Sequence, residues 1–96
     1  MKTTIARLIA KEGEFDSMRA CALEISAAVA ANEPGNTLYA ICEVGEPNTL
    51  VFVERYVDEK AVEMHRNSDH MKSLGRKIGA TLAGKPEILF RLTDCT

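Results

Sequence analysis

The sequence lacks the features that nucleic-acid-binding, membrane-spanning and secreted proteins need. Its 12 basic and 14 acidic residues give a net charge of -2, without a basic stripe interleaved with aromatics. Phosphate contacts need clustered Lys and Arg, so nucleic-acid binding is disfavoured as the main activity. The apolar runs are too short and too interrupted to span a bilayer. Arg7 and Lys11 interrupt any signal-peptide core near the N-terminus, and a cytoplasmic protein is therefore expected.

Cysteine is scarce as well. The three cysteines are an odd number, and their spacing matches no zinc-binding pattern. Cys21 falls in a predicted helix, Cys42 in a predicted strand and Cys95 in the C-terminal tail. We interpret them as reduced thiols that mostly contribute to packing, because a nucleophilic cysteine would need a nearby base.

The chain is also too short for two independent cores. Its 96 residues are the usual size of one domain, which we expect to span residues 1–96. Hydrophobic residues make up 46% and charged residues 27%, which is the composition of an ordinary globular protein. A domain of this size buries only about 60–70% of its unfolded surface, so association with another chain would add stability.

The spacing of apolar residues predicts four strands and two helical regions. Strands are expected at residues 3–11, 37–44, 49–57 and 87–93, and the first helix at 14–31. The order β-α-β-β-α-β is typical of a ferredoxin-like α+β fold. In that fold a four-stranded antiparallel sheet carries both helices on one face.

The second helical region is expected to run from Asp58 to Gly84. Asp58 is a suitable N-cap, and Ser68-Asp69 can restart the helix after a local break. Apolar residues then recur three and four positions apart, at Met71, Leu74, Ile78 and Leu82. Gly84 is predicted to end the helix, with Pro86 just beyond it.

The predicted third strand is apolar on both faces. One face carries Leu50, Phe52 and Tyr56, and the other carries Val51, Val53 and Val57. The last strand is expected to repeat this pattern, with Ile88, Phe90 and Leu92 opposite Leu89. A sheet with one wet face should alternate apolar and polar side chains. Two helices can cover only one face, so the sequence predicts a homodimer in which a second copy covers the other.

Four short motifs follow one another in a fixed order along the chain. They lie at residues 33–39 (EPGNTLY), 52–56 (FVERY), 61–65 (AVEMH) and 68–71 (SDHM). In order and spacing the sequence over residues 3–93 resembles the antibiotic biosynthesis monooxygenase superfamily. The resemblance implies a dimeric α+β barrel. It also implies oxidation of hydroquinones or phenols by molecular oxygen without a cofactor, although relatives degrade haem or isomerise a phosphorylated sugar.

The chain departs from the superfamily pattern at the residues that haem-degrading relatives use. It has no Trp, and Tyr56 stands where such relatives end the strand motif with Trp. Gly75 stands at the position of their late-helix His, so haem degradation is disfavoured and no cofactor is expected. Met71 replaces the usual Phe, which makes it a candidate for the wall of a substrate pocket.

The two histidines and two tyrosines are candidates for the site. A base with an unperturbed pKa of about 6.5 suits proton transfer near neutrality, and the resemblance points to His65 as that base. A structural hydrogen bond or a surface position is the alternative reading of His65. Tyr39 and Tyr56 would hold a substrate oxygen, or else simply pack in the core. His70 is a weaker substrate-binding candidate, and two histidines without a third ligand predict no metal site.

Two charged residues interrupt apolar strand faces. Glu54 must be paired, near solvent or in a cavity wall, and a catalytic role is one reading. The other reading is an ion pair across the dimer interface with Arg7 or Arg91. Arg7 would equally serve to orient an anionic or phenolic substrate.

Three functions therefore compete at the level of sequence. The leading hypothesis is a cofactor-independent monooxygenase that acts on a hydroquinone-like or phenolic small molecule. The second is an acid–base isomerase of a phosphorylated small molecule, with Arg7 and the histidine pair binding the substrate. The third is a non-catalytic ligand-binding dimer.

Overall fold

A computed structural model describes all 96 residues. The elements are β1 Lys2–Ile9, α1 Phe15–Asn32, β2 Asn36–Glu43, β3 Thr49–Tyr56, α2 Glu59–Asn67, α3 Asp69–Gly79 and β4 Glu87–Thr93. The strands form one antiparallel sheet in the order β2-β3-β1-β4. The ferredoxin-like α+β fold predicted from the sequence is confirmed, and none of its helices has the length and apolarity to cross a membrane.

The helices follow from apolar spacing and from side-chain caps. The face of α1 that packs into the core is formed by Met18, Cys21, Ala22, Ile25 and Val29. The Asp58 carboxylate accepts a hydrogen bond from the Ala61 N–H at 2.8 Å, which starts α2 as predicted. The Ser68 hydroxyl accepts from the Met71 N–H at 3.3 Å and starts α3. The break between α2 and α3 is therefore built by Ser68.

The helix α3 ends at Gly79, so the predicted end at Gly84 is wrong. Two backbone hydrogen bonds join this segment to the end of β1 and the residues after it, and they replace the bonds that would continue the helix. The Lys11 N–H donates to the Thr81 carbonyl at 2.8 Å, and the Ala83 N–H donates to the Ile9 carbonyl at 2.9 Å. They form an isolated bridge between Ala10 and Leu82. Leu82 still reaches the core, but it does so from this bridge.

Each face of the sheet has its own rows of side chains. Cross-strand partners in an antiparallel sheet share a face, so the strand register assigns the rows. On the inner face, which the helices cover, one row is Tyr39, Glu54, Thr4 and Arg91. On the opposite, outer face, one row is Ala40, Val53, Ile5 and Phe90. The faces predicted for β3 agree with this register.

A bulge in β4 corrects the faces predicted for the last strand. Ile5 pairs with Phe90 and Ala6 with Ile88, which leaves Leu89 as the extra residue. Ile88 therefore points to the inner face, whereas Phe90 and Leu92 point to the outer face. The prediction that Ile88 and Phe90 share a face was wrong because strict alternation does not account for a bulge.

Candidate active site

The centre of the candidate site is a buried carboxylate, Glu33, directly after α1. Its N–H donates to the Val29 carbonyl at 2.9 Å, which fixes the residue at the helix end. The next turn passes close under α2, because a Cβ placed on Gly35 would lie only 2.8 Å from the Ala61 Cβ. This close approach brings His65, one turn further along α2, against Glu33.

Glu33 links the two histidines. Its carboxylate oxygens lie 2.9 and 3.0 Å from Nδ1 of His65, and one of them lies 2.5 Å from Nε2 of His70. The break at Ser68 turns His70 toward the same carboxylate. An ionised carboxylate only accepts, so Nδ1 of His65 must be the donor. In the tautomer with its proton on Nδ1, His65 has its lone pair on Nε2, on the side away from Glu33.

A second polar pair faces Nε2 of His65. The Tyr56 hydroxyl donates to Glu54 Oε1 at 2.5 Å, and this oxygen lies 3.9 Å from His65 Nε2. The imidazole lies between two phenol rings, with centroid separations of 5.5 Å to Tyr39 and 5.7 Å to Tyr56. The site therefore combines a base, two hydroxyl donors and a second carboxyl group.

Burial controls the protonation of these groups. It raises the pKa of Glu54, an effect that the Tyr56 hydrogen bond and nearby His65 partly offset. Burial also raises the pKa of Tyr39 and of Tyr56, and the Glu54 carboxylate raises both further. Both phenols consequently stay protonated near neutral pH, and the Tyr56 hydroxyl donates a hydrogen bond to Glu54.

Two cavities meet at His65. The first, here called the reaction cleft, has a volume of about 420 Å³, and its walls include Glu54, Tyr56, His65, Arg66, Met71 and Arg91. The second, here called the apolar chamber, has a volume of about 210 Å³, and its walls include Leu8, Ile25, Tyr39, Phe52, His65 and Met71. A ring-sized molecule in the cleft would have apolar walls on one side and the polar groups on the other.

The structure brings most of the sequence-predicted residues together. His65, Glu54, Tyr56 and Met71 line the reaction cleft, and Tyr39 lines the apolar chamber. His70 opens on the far side of Glu33, into a wide solvent-open pocket of about 600 Å³. Their chemical roles stay predictions.

Arg7 does not join them. It belongs to the outer face, where it binds Glu87 at 2.8 Å and approaches Glu46 at 3.8 Å. Glu54 faces the helices, on the opposite face from Arg7, so the two do not pair within one chain. The ion pair predicted across the dimer interface stays a prediction. Within one chain Arg7 lines neither cavity, and its predicted role in orienting substrate stays a prediction.

Sequence reasoning missed Glu33 as a site residue. Its only signal was an acidic residue directly before Pro34-Gly35, within the first motif of the resemblance. Sequence alone gave no reason to bury it, because its partners His65 and His70 lie far along the chain. Arg66 and Arg91 were likewise not recognised as residues of a cleft.

The fold adds the third potential metal ligand that the sequence lacked. Glu33, His65 and His70 each offer a ligand atom, and these atoms lie within 4.8 Å of one another. Ligands of one tetrahedral ion with bonds near 2.0–2.1 Å lie about 3.3 Å apart. The 2.5 Å and 2.9 Å separations at Glu33 Oε2 are shorter and are those of hydrogen bonds. The arrangement is thus a carboxylate that is hydrogen-bonded to two imidazoles.

Structures with the same fold have been solved. A Caulobacter crescentus CB15 protein, described provisionally as an antibiotic biosynthesis monooxygenase, is 27% identical, with 99% of this chain and 90% of that chain covered at a TM-score of 0.92. Another structure, named antibiotic biosynthesis monooxygenase, is 21% identical over the full length of both chains, with a TM-score of 0.87. Rv0793 from Mycobacterium tuberculosis is 23% identical over 99% of this chain and 95% of that chain, with a TM-score of 0.87.

The sequence also matches the profile of a protein family. The profile of the family named Antibiotic biosynthesis monooxygenase matches residues 1–77, which include every element from β1 to α2 and most of α3. No curated protein matches the chain significantly. The matched range contains Glu33, Glu54, Tyr56 and both histidines. On this match, and in agreement with the resemblance seen in its motifs, the chain belongs to the antibiotic biosynthesis monooxygenase family.

Proposed function

We propose that this chain is a cofactor-independent monooxygenase that oxidises a hydroquinone-like or phenolic aromatic with O2. One observation carries the proposal: Glu33 holds Nδ1 of His65, so the lone pair of Nε2 faces the reaction cleft beside Tyr56 and Glu54. A base oriented in this way by a carboxylate is suited to deprotonate a phenol.

The first step is proton transfer. The phenolic O–H bond breaks, its proton goes to Nε2 of His65, and the electron pair stays on the substrate oxygen. Glu33 stabilises the resulting imidazolium through the Nδ1–H hydrogen bond. The phenolate forms beside the apolar chamber, where the Tyr39 hydroxyl is the available donor, because the Tyr56 hydroxyl already donates to Glu54.

Oxygen then reacts with the phenolate. One electron passes from the anion to O2, giving an aryloxyl radical and superoxide, which combine to form a new C–O bond. The peroxide takes back the proton from His65. The O–O bond and the ring C–H bond then break with loss of water, so one oxygen atom of O2 enters the quinone product and the other enters water.

Oxygen consumption tests the proposal. The protein is expected to consume O2 with members of a panel of phenols and hydroquinones, and His65→Ala should lower kcat by about 10²–10⁴-fold. Glu33→Gln should lower kcat with little change in KM, because it removes the charge that stabilises the imidazolium. His65→Asn, which can still hydrogen-bond Glu33, checks that lost activity reflects the missing base and not unfolding.

Two outcomes contradict the proposal. One is the absence of oxygen uptake across the panel, and the other is an unchanged rate in His65→Ala. Turnover of a substrate under anaerobic conditions would instead indicate acid–base chemistry such as isomerisation. The proposal also takes the chain to be a single domain over residues 1–96 that acts in the cytoplasm as a homodimer.

A further inference from the structure

The reaction cleft adjoins a second cavity, with which it shares part of its wall. This cavity, here called the cationic pocket, has a volume of about 130 Å³. Arg66 and Arg91 line both cavities, together with Thr4 and Val62. A molecule that extends from His65 out of the cleft therefore passes the two arginines.

Both arginines are carried by the elements that carry the reactive groups. Arg66 directly follows His65 on α2. Arg91 lies on the inner face of β4 and pairs with Thr4, which pairs with Glu54 in turn. Their position relative to the reactive groups is therefore fixed by a helix and by strand register, not by a loop.

The charges around the cationic pocket favour an anion. Neither Arg66 nor Arg91 has a carboxylate oxygen within 4.0 Å, whereas Arg7 and Lys77 elsewhere on the chain are both paired. Glu59 is the acidic residue of the pocket wall, and it lies 4.0 Å from Lys2. Two cations without an ion pair thus lie in the wall that the cleft and the cationic pocket share.

We propose that the substrate is an aromatic acid, with its ring in the reaction cleft and an oxyanion substituent held by Arg66 and Arg91. A guanidinium presents a planar fork of N–H donors that matches a carboxylate or a phosphate. The inference rests on the proposed function and narrows its substrate class. It also gives these two arginines the anion-binding role that the sequence had assigned to Arg7.

Anaerobic calorimetry tests the inference without turnover. The probes are hydroquinone, its ring-carboxylated counterpart and its ring-phosphorylated counterpart, each titrated at low salt. At least one charged probe should bind about fivefold tighter than hydroquinone, and added salt should reduce this preference. Comparison of the two charged probes shows which oxyanion the pocket prefers.

Single substitutions test whether the two arginines cause the preference for the charged probe. Arg66→Gln and Arg91→Gln should each lower the affinity for the charged probe toward that for hydroquinone. The affinity for hydroquinone itself should not change. Arg76→Gln is the matched control, because Arg76 is exposed on α3 and lines neither cavity. It should retain the full preference.

Equal binding of charged and neutral probes would overturn the inference. So would a preference that survives both arginine substitutions, or no binding of any probe at millimolar concentration. These results are separable from failure of the proposed function. If the protein prefers the charged probe but consumes no oxygen, the anion site is supported and the proposed activity is not. If it oxidises hydroquinones without a preference for charged ones, the activity is supported and the anion site is not.

Discussion

Glu54 is a carboxyl group that the fold makes difficult to ionise. It lies in the wall of both the reaction cleft and the apolar chamber. The titratable groups that interact with it are Tyr56 on its own strand, Tyr39 on β2, His65 on α2 and Glu33. Arg66 and Arg91 line the same cleft. Desolvation dominates over the hydrogen bond from Tyr56 and the attraction of His65, and the pKa of Glu54 is raised.

This raised pKa predicts a pH-dependent stability. Folded protein binds the Glu54 proton more tightly than unfolded chain, so stability falls as pH rises from the unfolded value of 4.5 to the raised folded value. Glu54→Gln stays neutral at every pH and can still accept from Tyr56. Its Tm should exceed that of the wild type by a few degrees at about pH 8, and the gain should shrink at about pH 4.

Thermal unfolding followed by circular dichroism at both pH values measures this difference. Glu63→Gln is the control, because Glu63 is an exposed glutamate on α2 without an ion pair. It should change Tm little at either pH. A Glu54→Gln protein that is less stable than the wild type at alkaline pH would show that the carboxylate is favourably solvated or paired.

Sequence reasoning reached individual site residues by two routes. Glu54 and Tyr56 carry polar groups on an apolar strand face, whereas His65 was singled out mainly through the family resemblance. The fold places all three in one cleft. Glu33 did not stand out from its sequence surroundings, because an acidic residue is common before a Pro-Gly turn. Its burial depends on α2 packing over the turn, a contact between residues distant in sequence.

At the scale of elements, the contact between α2 and the turn after α1 sets the site geometry. A Cβ on Gly35 would lie 2.8 Å from the Ala61 Cβ and 3.3 Å from Val57 Cγ2. Gly35→Ala is therefore expected to push α2 outward and destabilise the fold by about 1–3 kcal/mol. Because α2 carries His65, kcat should fall as well. Chemical denaturation and oxygen uptake measure the two effects.

Ala61→Gly in the Gly35→Ala background should recover part of both losses, because it removes the atom that clashes. Gly79→Ala is the matched control, since nothing lies within 4 Å of a Cβ there. It should be neutral or slightly stabilising. Full stability and activity in Gly35→Ala would mean that α2 is not held by this contact.

The sequence predicted which strands and helices exist better than it predicted where they end. The apolar period identified all four strands and both helical regions, and the caps Asp58 and Ser68 were recognised from residue type. The end of α3 and the bulge in β4 were missed. Both depend on hydrogen bonds to β1 or to the residues just after it, which lie seventy or more residues away in sequence, so no local pattern records them.

At the scale of the whole molecule, the outer face of the sheet is unprotected in a single chain. The row Ala40, Val53, Ile5 and Phe90 crosses all four strands on this face. Phe90 is 58% exposed and Leu92 is 41% exposed, and both belong to the edge strand β4. Exposed apolar area on an edge strand favours association through that strand and face.

We therefore expect light scattering at micromolar concentration to give about twice the 10.5 kDa of one chain. Phe90→Asp should convert the protein to a monomer, because it replaces the most exposed apolar side chain of the outer face with a charge. Leu23→Asp is the matched control: Leu23 is 47% exposed on α1, and the dimer should survive that substitution. A monomeric wild type at this concentration would contradict the expectation. An intact Phe90→Asp dimer would instead mean that association uses another surface, and the outer face would then need a different explanation for its apolar rows.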